Sequence, residues 1–158
     1  GAKGLPAARS AVTRVLLSRP ENNSPAAVVD HYVKLFKVIG SPAYPTPEPE
    51  MRERIMLGVV RSFHPVGTLR QMMAIVSDKN RFTQLARVRC PTLVLHGVDD
   101  PLVPHSHGAD TAQRIVGARL VSIAGMGHDM PTEVVRLMLK DLLPHLQAAS
   151  PAAAVGAA

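Results

Sequence analysis

The sequence predicts an α/β fold: two parallel strands with flanking helices near the C-terminal end, preceded by a largely helical region. Two observations carry this. The stretch Cys90–Pro131 holds two short apolar runs, Thr92–His96 and Arg119–Ala124, rich in β-branched residues and leucine and closed by glycine. Runs of that length and make-up read as buried strands. Between them Ala109, Ala112, Ile115 and Val116 recur at helical spacing over Ser106–Val116. A strand–helix–strand unit implies parallel strands joined by a right-handed crossover. Neither run alternates apolar with polar, as expected where helices cover both faces of a sheet.

The other elements can be taken in chain order. Val12, Val15 and Leu16 mark one side of a short helix that ends at Arg19-Pro20, since proline disfavours a helical residue before it. Ser24-Pro25 starts a second helix, with a side-chain cap and proline at the first helical position. Val29, Tyr32, Val33, Phe36 and Ile39 form its stripe, and Gly40 ends it. Pro42, Pro45, Pro47 and Pro49 make Ser41–Pro49 a stiff, non-helical connector. A helix is expected over Glu50–Ser62, with Met51, Ile55 and Val59 facing in. Another covers Val66–Ser77, with Leu69, Met72, Met73 and Val76 as its stripe, broken by Asp78-Lys79-Asn80. A short turn through Leu85 and Val88 leads to the first strand. After the second strand, Pro131–Gln147 forms a last helix with Val134, Val135, Met138, Leu142 and Leu146 facing in, kinked or cut short by Pro144.

The chemistry lies in the loops just beyond the two strands. The first strand runs into Gly97-Val98-Asp99-Asp100-Pro101, the second into Gly125-Met126-Gly127-His128-Asp129. In open α/β sheets, catalytic and ligand-binding groups gather beyond the carboxyl ends of the strands. An acid and a histidine therefore reach one edge on neighbouring loops. A histidine base needs one ring nitrogen toward the nucleophile and the other held by a carboxylate. Taken alone, Asp100 is a turn residue before proline, and His128 a loop histidine bonded to backbone. The joint pattern, strand-Gly-x-x-Asp and then strand-Gly-x-Gly-His, separates the readings. Taken alone, Asp99 has the same turn reading.

PTLVLHGVDDPLVP and ARLVSIAGMGHDMP resemble the last two strands of an α/β-hydrolase with its acid and histidine loops. VIGSPAYP and RQMMAIVSDKNR resemble the lid of aclacinomycin methylesterase-like esterases. The resemblance implies Asp100, three positions after the strand-ending glycine, as catalytic acid, with Asp99 as the structural member of the pair, and His128 as base, the acid preceding the histidine in the chain. It also implies a helical lid over 1–88 and a C-terminal hydrolase segment over 89–147, while the Ala-, Pro- and Gly-rich stretch over 148–158 reads from its composition as a disordered tail. The implied substrate is a small, fairly apolar carboxylic ester, with no cofactor and no metal. Phe36, Met72, Val103 and Met130 are candidate substrate-lining residues, although methionines such as Met72 also serve as generic core fillers.

The nucleophile has no match. No G-x-S-x-G elbow occurs, and Ser10, Ser18, Ser24, Ser41, Ser62, Ser77, Ser106, Ser122 and Ser150 lack glycine flanks on both sides. The expectation is a lid plus the C-terminal third of a serine hydrolase. It would be inactive alone, and its partner would be the N-terminal half carrying the serine and oxyanion hole. Peptidases, thioesterases, lactonases and epoxide hydrolases use the same parts, and a non-catalytic interaction module is the rival from another class.

Composition excludes other classes. The net charge of +6 is scattered over Arg52, Arg54, Arg61, Arg70, Arg81, Arg87 and Arg89 without a like-charge block. Aromatics are 3% of the chain with no Trp, so platforms for base stacking are scarce and nucleic acid is not an expected partner. His105 and His107 lie two apart at a helix start, so they point to different faces, and no third metal ligand is suitably spaced. No apolar run is long enough to span a membrane, and Val12–Leu17 is too short and polar for a signal peptide. The single Cys90 is read as a packed thiol and fits a reducing, cytoplasmic setting.

Overall fold

The computed structural model describes residue 2, residues 4–78 and residues 80–149. The helical region comprises α1 (Ser10–Leu16), α2 (Pro25–Ile39), α3 (Glu48–Arg61), α4 (Pro65–Ser77) and a short α5 (Arg81–Gln84) running into a 3₁₀ turn. Then come β1 (Leu93–Gly97), α6 (Ser106–Arg114), β2 (Arg119–Ile123) and α7 (Thr132–Ala148). The two strands pair in parallel, with Leu93 opposite Arg119 and Gly97 opposite Ile123. This is the expected sheet, with β1 moved one residue toward its glycine.

Local chemistry explains the start of α2. The Ser24 hydroxyl accepts the Ala27 N–H at 3.3 Å, and Pro25 occupies the first turn, where no N–H is required. Val28, Val29, Val33 and Ile39 form the buried face of α2, and Val12 of the neighbouring α1 is fully buried. In a second core Ile123, Met126 and Val134 gather, with Tyr44, Val121, Leu137 and Met138 packed against them. Tyr44 brings the proline-rich connector into that core, so helical region and sheet segment share packed side chains.

Several expectations are corrected. Helix α3 starts at Glu48, because Pro49 falls in its first turn and loses no helical hydrogen bond there. The α4 stripe is not buried: Leu69, Met73 and Val76 are exposed and only Met72 is half-covered. Helix α6 stops at Arg114, leaving Ile115 extended and buried and Val116 exposed. Helix α7 runs through Pro144 to Ala148. Pro144 lies on the exposed side beside an exposed Lys140, whose carbonyl can turn to water. Val135 and Leu146 are exposed, and Leu137 covers the core in their place. Leu93 to His96 are half-buried rather than covered on both faces, and Cys90 is exposed rather than packed. Ala148 belongs to α7, and the tail expected beyond it lies, from residue 150 on, outside the described residues.

Candidate active site

The acid and the histidine meet. Asp100, its side chain 5% exposed, accepts at Oδ2 from His128 Nδ1 at 2.7 Å. Its Oδ1 accepts the backbone N–H groups of Leu102 at 2.9 Å and Val103 at 2.8 Å. An ionised carboxylate only accepts, so Nδ1 carries a proton, and in the neutral imidazole Nε2 then presents its lone pair. The His128 side chain is 40% exposed, and Nε2 has no hydrogen-bond partner among the described residues. The ring is thus fixed at one nitrogen and open at the other.

Backbone bonds hold the two loops together. Asp99 donates its N–H to the Met126 carbonyl at 3.0 Å, and its carboxylate accepts the Gly125 N–H at 2.8 Å. Asp99 therefore staples loop to loop and does not reach the imidazole. The approach is close enough that a Cβ on Gly97 would lie 2.3 Å from the Met126 carbonyl oxygen. On the other side, His128 N–H donates to the Ile39 carbonyl at 2.7 Å. Asp129 Oδ1 accepts from Ser41 N–H at 2.8 Å and from Ser41 Oγ at 2.5 Å, while Ser41 Oγ accepts the Gly127 N–H at 3.0 Å. The histidine loop is clasped between the acid loop and the end of α2.

Sequence reasoning did not single out this clasp. Ser41 stood out as a serine without an elbow at the start of the proline-rich connector, and Asp129 as the neighbour of His128. A helix-ending Gly-Ser-Pro and an Asp after the histidine were the available signals, and nothing local pairs residues 88 positions apart. His96 was also missed. Its Nε2 donates to the Val103 carbonyl at 2.8 Å and stands 3.8 Å from Asp100 Oδ2, so it braces the acid loop. From the N-terminal side, Arg9 N–H donates to the Pro101 carbonyl at 2.9 Å.

The candidate lining residues separate. Phe36 and Met130 share a cavity of about 330 Å³ with Thr46, Met51, Ile55 and Pro131, directly beside Asp129. A neighbouring cavity of about 610 Å³ also reaches Phe36, Ser41 and Asp129. Met72 lines a different cavity, with Leu16, Tyr32 and Leu69. Val103 serves the acid loop through its N–H and its carbonyl. His105 and His107 diverge, one bonding Ser122 Oγ at 2.7 Å and the other the Pro6 carbonyl at 2.8 Å. Among the described residues no group of three or more His, Cys, Asp or Glu side chains could hold a metal ion. No helix among them is long and apolar enough to cross a membrane.

The parallel strand pair with its flanking helices, and with the Asp100 and His128 loops just beyond its ends, has the fold of part of an α/β-hydrolase. The chain is related to the esterase-like α/β-hydrolases. Residues 72–143 match the TAP-like protein family. A rhodomycin D methylesterase from Streptomyces sp. (strain C5) is 26% identical over 146 residues, which are 92% of this chain and 49% of that protein. A bifunctional esterase/perhydrolase from Acinetobacter calcoaceticus is 36% identical over 75 residues, covering 46% of this chain and 27% of that protein. Among solved structures, an esterase from Exiguobacterium antarcticum superposes with a TM-score of 0.63 at 17% identity, over 87% of this chain and 46% of that one. A meta-cleavage product hydrolase from Pseudomonas fluorescens gives 0.59 at 16% identity, over 90% and 52%. The chain spans about half the length of the methylesterase relative, and at these identities the structural likeness shows the fold alone.

Proposed function

We propose that this chain supplies the acid–base half of a serine hydrolase acting on a small, apolar carboxylic ester. The observation that carries the reading is the Asp100–His128 contact at 2.7 Å, with the carboxylate anchored on the Leu102 and Val103 N–H groups and Nε2 open. In this mechanism Nε2 takes the proton of a serine as its oxygen attacks the ester carbonyl. Asp100 stabilises the imidazolium, and His128 returns the proton to the departing alkoxide. Water, activated by the same Nε2, then releases the acid. The serine and the oxyanion donors come from a further segment, an N-terminal half bearing a G-x-S-x-G elbow, since no such elbow occurs in these 158 residues. Residues 1–88 act as the lid and residues 89–147 as the catalytic segment. Phe36 and Met130 contribute the apolar wall for the ester.

The test is kinetic. The chain alone shows no saturable turnover of short-chain nitrophenyl esters, and co-expression with a segment carrying the elbow restores it. In the restored enzyme, Asp100→Asn places a donor opposite Nδ1 and favours the wrong tautomer, lowering kcat by up to ~10⁴-fold, the size of the loss in the serine-protease precedent. Asp99→Asn, which leaves an oxygen for the Gly125 N–H, has a much smaller effect. Turnover by the chain alone that His128→Ala abolishes would place a nucleophile within it and overturn the reading.

A further inference from the structure

We propose that Ser41 is a positioning residue for His128, acting through a clasp on the two residues that flank it; the proposal rests on the reading of Asp100 and His128 as the acid–base pair. Ser41 is 3% exposed, and its hydroxyl, N–H and carbonyl are all engaged, the carbonyl by the Tyr44 N–H at 3.2 Å. Its hydroxyl donates to Asp129 Oδ1 and accepts the Gly127 N–H, and its own N–H donates to the same Oδ1. The contacts therefore fall on residues 127 and 129, while the N–H of residue 128 is taken by Ile39. Three consecutive residues of the histidine loop are bound to the end of α2 and the serine just beyond it.

The clasp has a geometric consequence. Among the described residues the imidazole makes one hydrogen bond, Nδ1 to Asp100, and a ring anchored by one hydrogen bond can pivot about it. The direction of Nε2 then depends on where the loop backbone lies, which Asp129 sets through charge-assisted bonds to Ser41. The fit is tight: a Cβ on Gly127 would stand 2.4 Å from the Gly40 carbonyl oxygen. Ser41 is not itself a candidate nucleophile, because its proton is directed to Asp129 rather than His128 and its hydroxyl is buried. Its place in the connector ahead of α3 makes the lid region and the base one mechanical unit.

The readout is the low-field Nδ1–H proton resonance of His128, followed in the full chain with labelled histidine. It reports the Asp100 contact directly, and a merely structural role for Ser41 would leave it in place. In Ser41→Ala the resonance is lost to solvent exchange while the amide dispersion of the Ile123–Met126–Val134 core persists, and Ser41→Thr, which keeps the hydroxyl, restores it. An unchanged resonance in Ser41→Ala overturns the proposal. If Ser41→Ala loses the core dispersion, Asp129→Asn replaces it as the test: its weaker acceptor broadens the resonance if the clasp positions the ring, and an unaltered resonance overturns the proposal. Asp100→Asn is the control for the underlying pair. A resonance that survives Asp100→Asn, or one absent from the wild-type chain, overturns the pair itself and the clasp with it.

Discussion

Gly97 closes β1 at the point where the acid loop leaves the sheet, and Gly97→Ala tests how closely the two loops are held. The added methyl would stand 2.3 Å from the Met126 carbonyl oxygen and 2.7 Å from that of Gly127. Carbon–oxygen contacts settle at ~3.3 Å, so the segments must part by about 1 Å. Both obstacles are backbone, so no side-chain rotation relieves them. The same displacement lengthens the Asp99 N–H to Met126 bond, now 3.0 Å, beyond hydrogen-bonding range. It also strains the Gly125 N–H to Asp99 bond and the Asp100–His128 contact. One neutral bond at ~1 kcal/mol and one carboxylate-assisted bond at ~2 kcal/mol give a destabilisation of about 3 kcal/mol. Gly58, inside α3, is the internal contrast. A Cβ there meets nothing within 4 Å, so Gly58→Ala removes unfolded-state freedom and stabilises by ~0.5–1 kcal/mol. Urea unfolding of both variants beside the parent chain should give midpoint shifts of opposite sign, with the His128 Nδ1–H resonance disturbed only in Gly97→Ala. A Gly97→Ala chain as stable as the parent, its resonance unmoved, would refute the close approach of β1 and the histidine loop.

Three further outcomes are expected. Val134→Ala empties part of the Ile123–Met126 core and destabilises by about 2 kcal/mol in thermal unfolding, whereas the exposed Val135→Ala changes it by less than ~0.5 kcal/mol. Hydrogen bonds from Lys37 and Arg52 hold the exposed Glu48 carboxyl below its ordinary value of 4.5, so its contribution to the α2–α3 contact is full above that pH. It is lost as pH falls through the lower folded value, and Glu48→Gln should flatten this small acid-side loss of helicity in circular dichroism. Among the described residues the sheet has two strands, so each outer edge lacks a strand neighbour. Open edges template pairing; sedimentation should show self-association, and a monodisperse monomer with strongly protected Leu93–Leu95 amides would count against it.

That an acid and His128 would meet was legible in the sequence for a physical reason, while the choice of Asp100 over Asp99 came from the resemblance to the α/β-hydrolases. Short runs rich in β-branched residues and closed by glycine mark strand ends. In a parallel sheet those ends lie on one edge, so residues just beyond them are neighbours. Ser24 and Pro25 announced the start of α2 equally well, because capping depends only on adjacent residues. Periodicity did worse where it had to report burial. Leu69, Met73 and Val76 form a helical stripe in the sequence, yet they are exposed because no described element covers α4 there. Pro144 read as a kink or an early end, and α7 continues past it to Ala148, its exposed side tolerating a missing N–H donor. The clasp of Ser41 on Asp129 and the brace of His96 on Val103 belong wholly to the tertiary structure. Hydrogen-bond partners distant along the chain are chosen by the way helix ends and loops pack, and no local residue pattern encodes that choice.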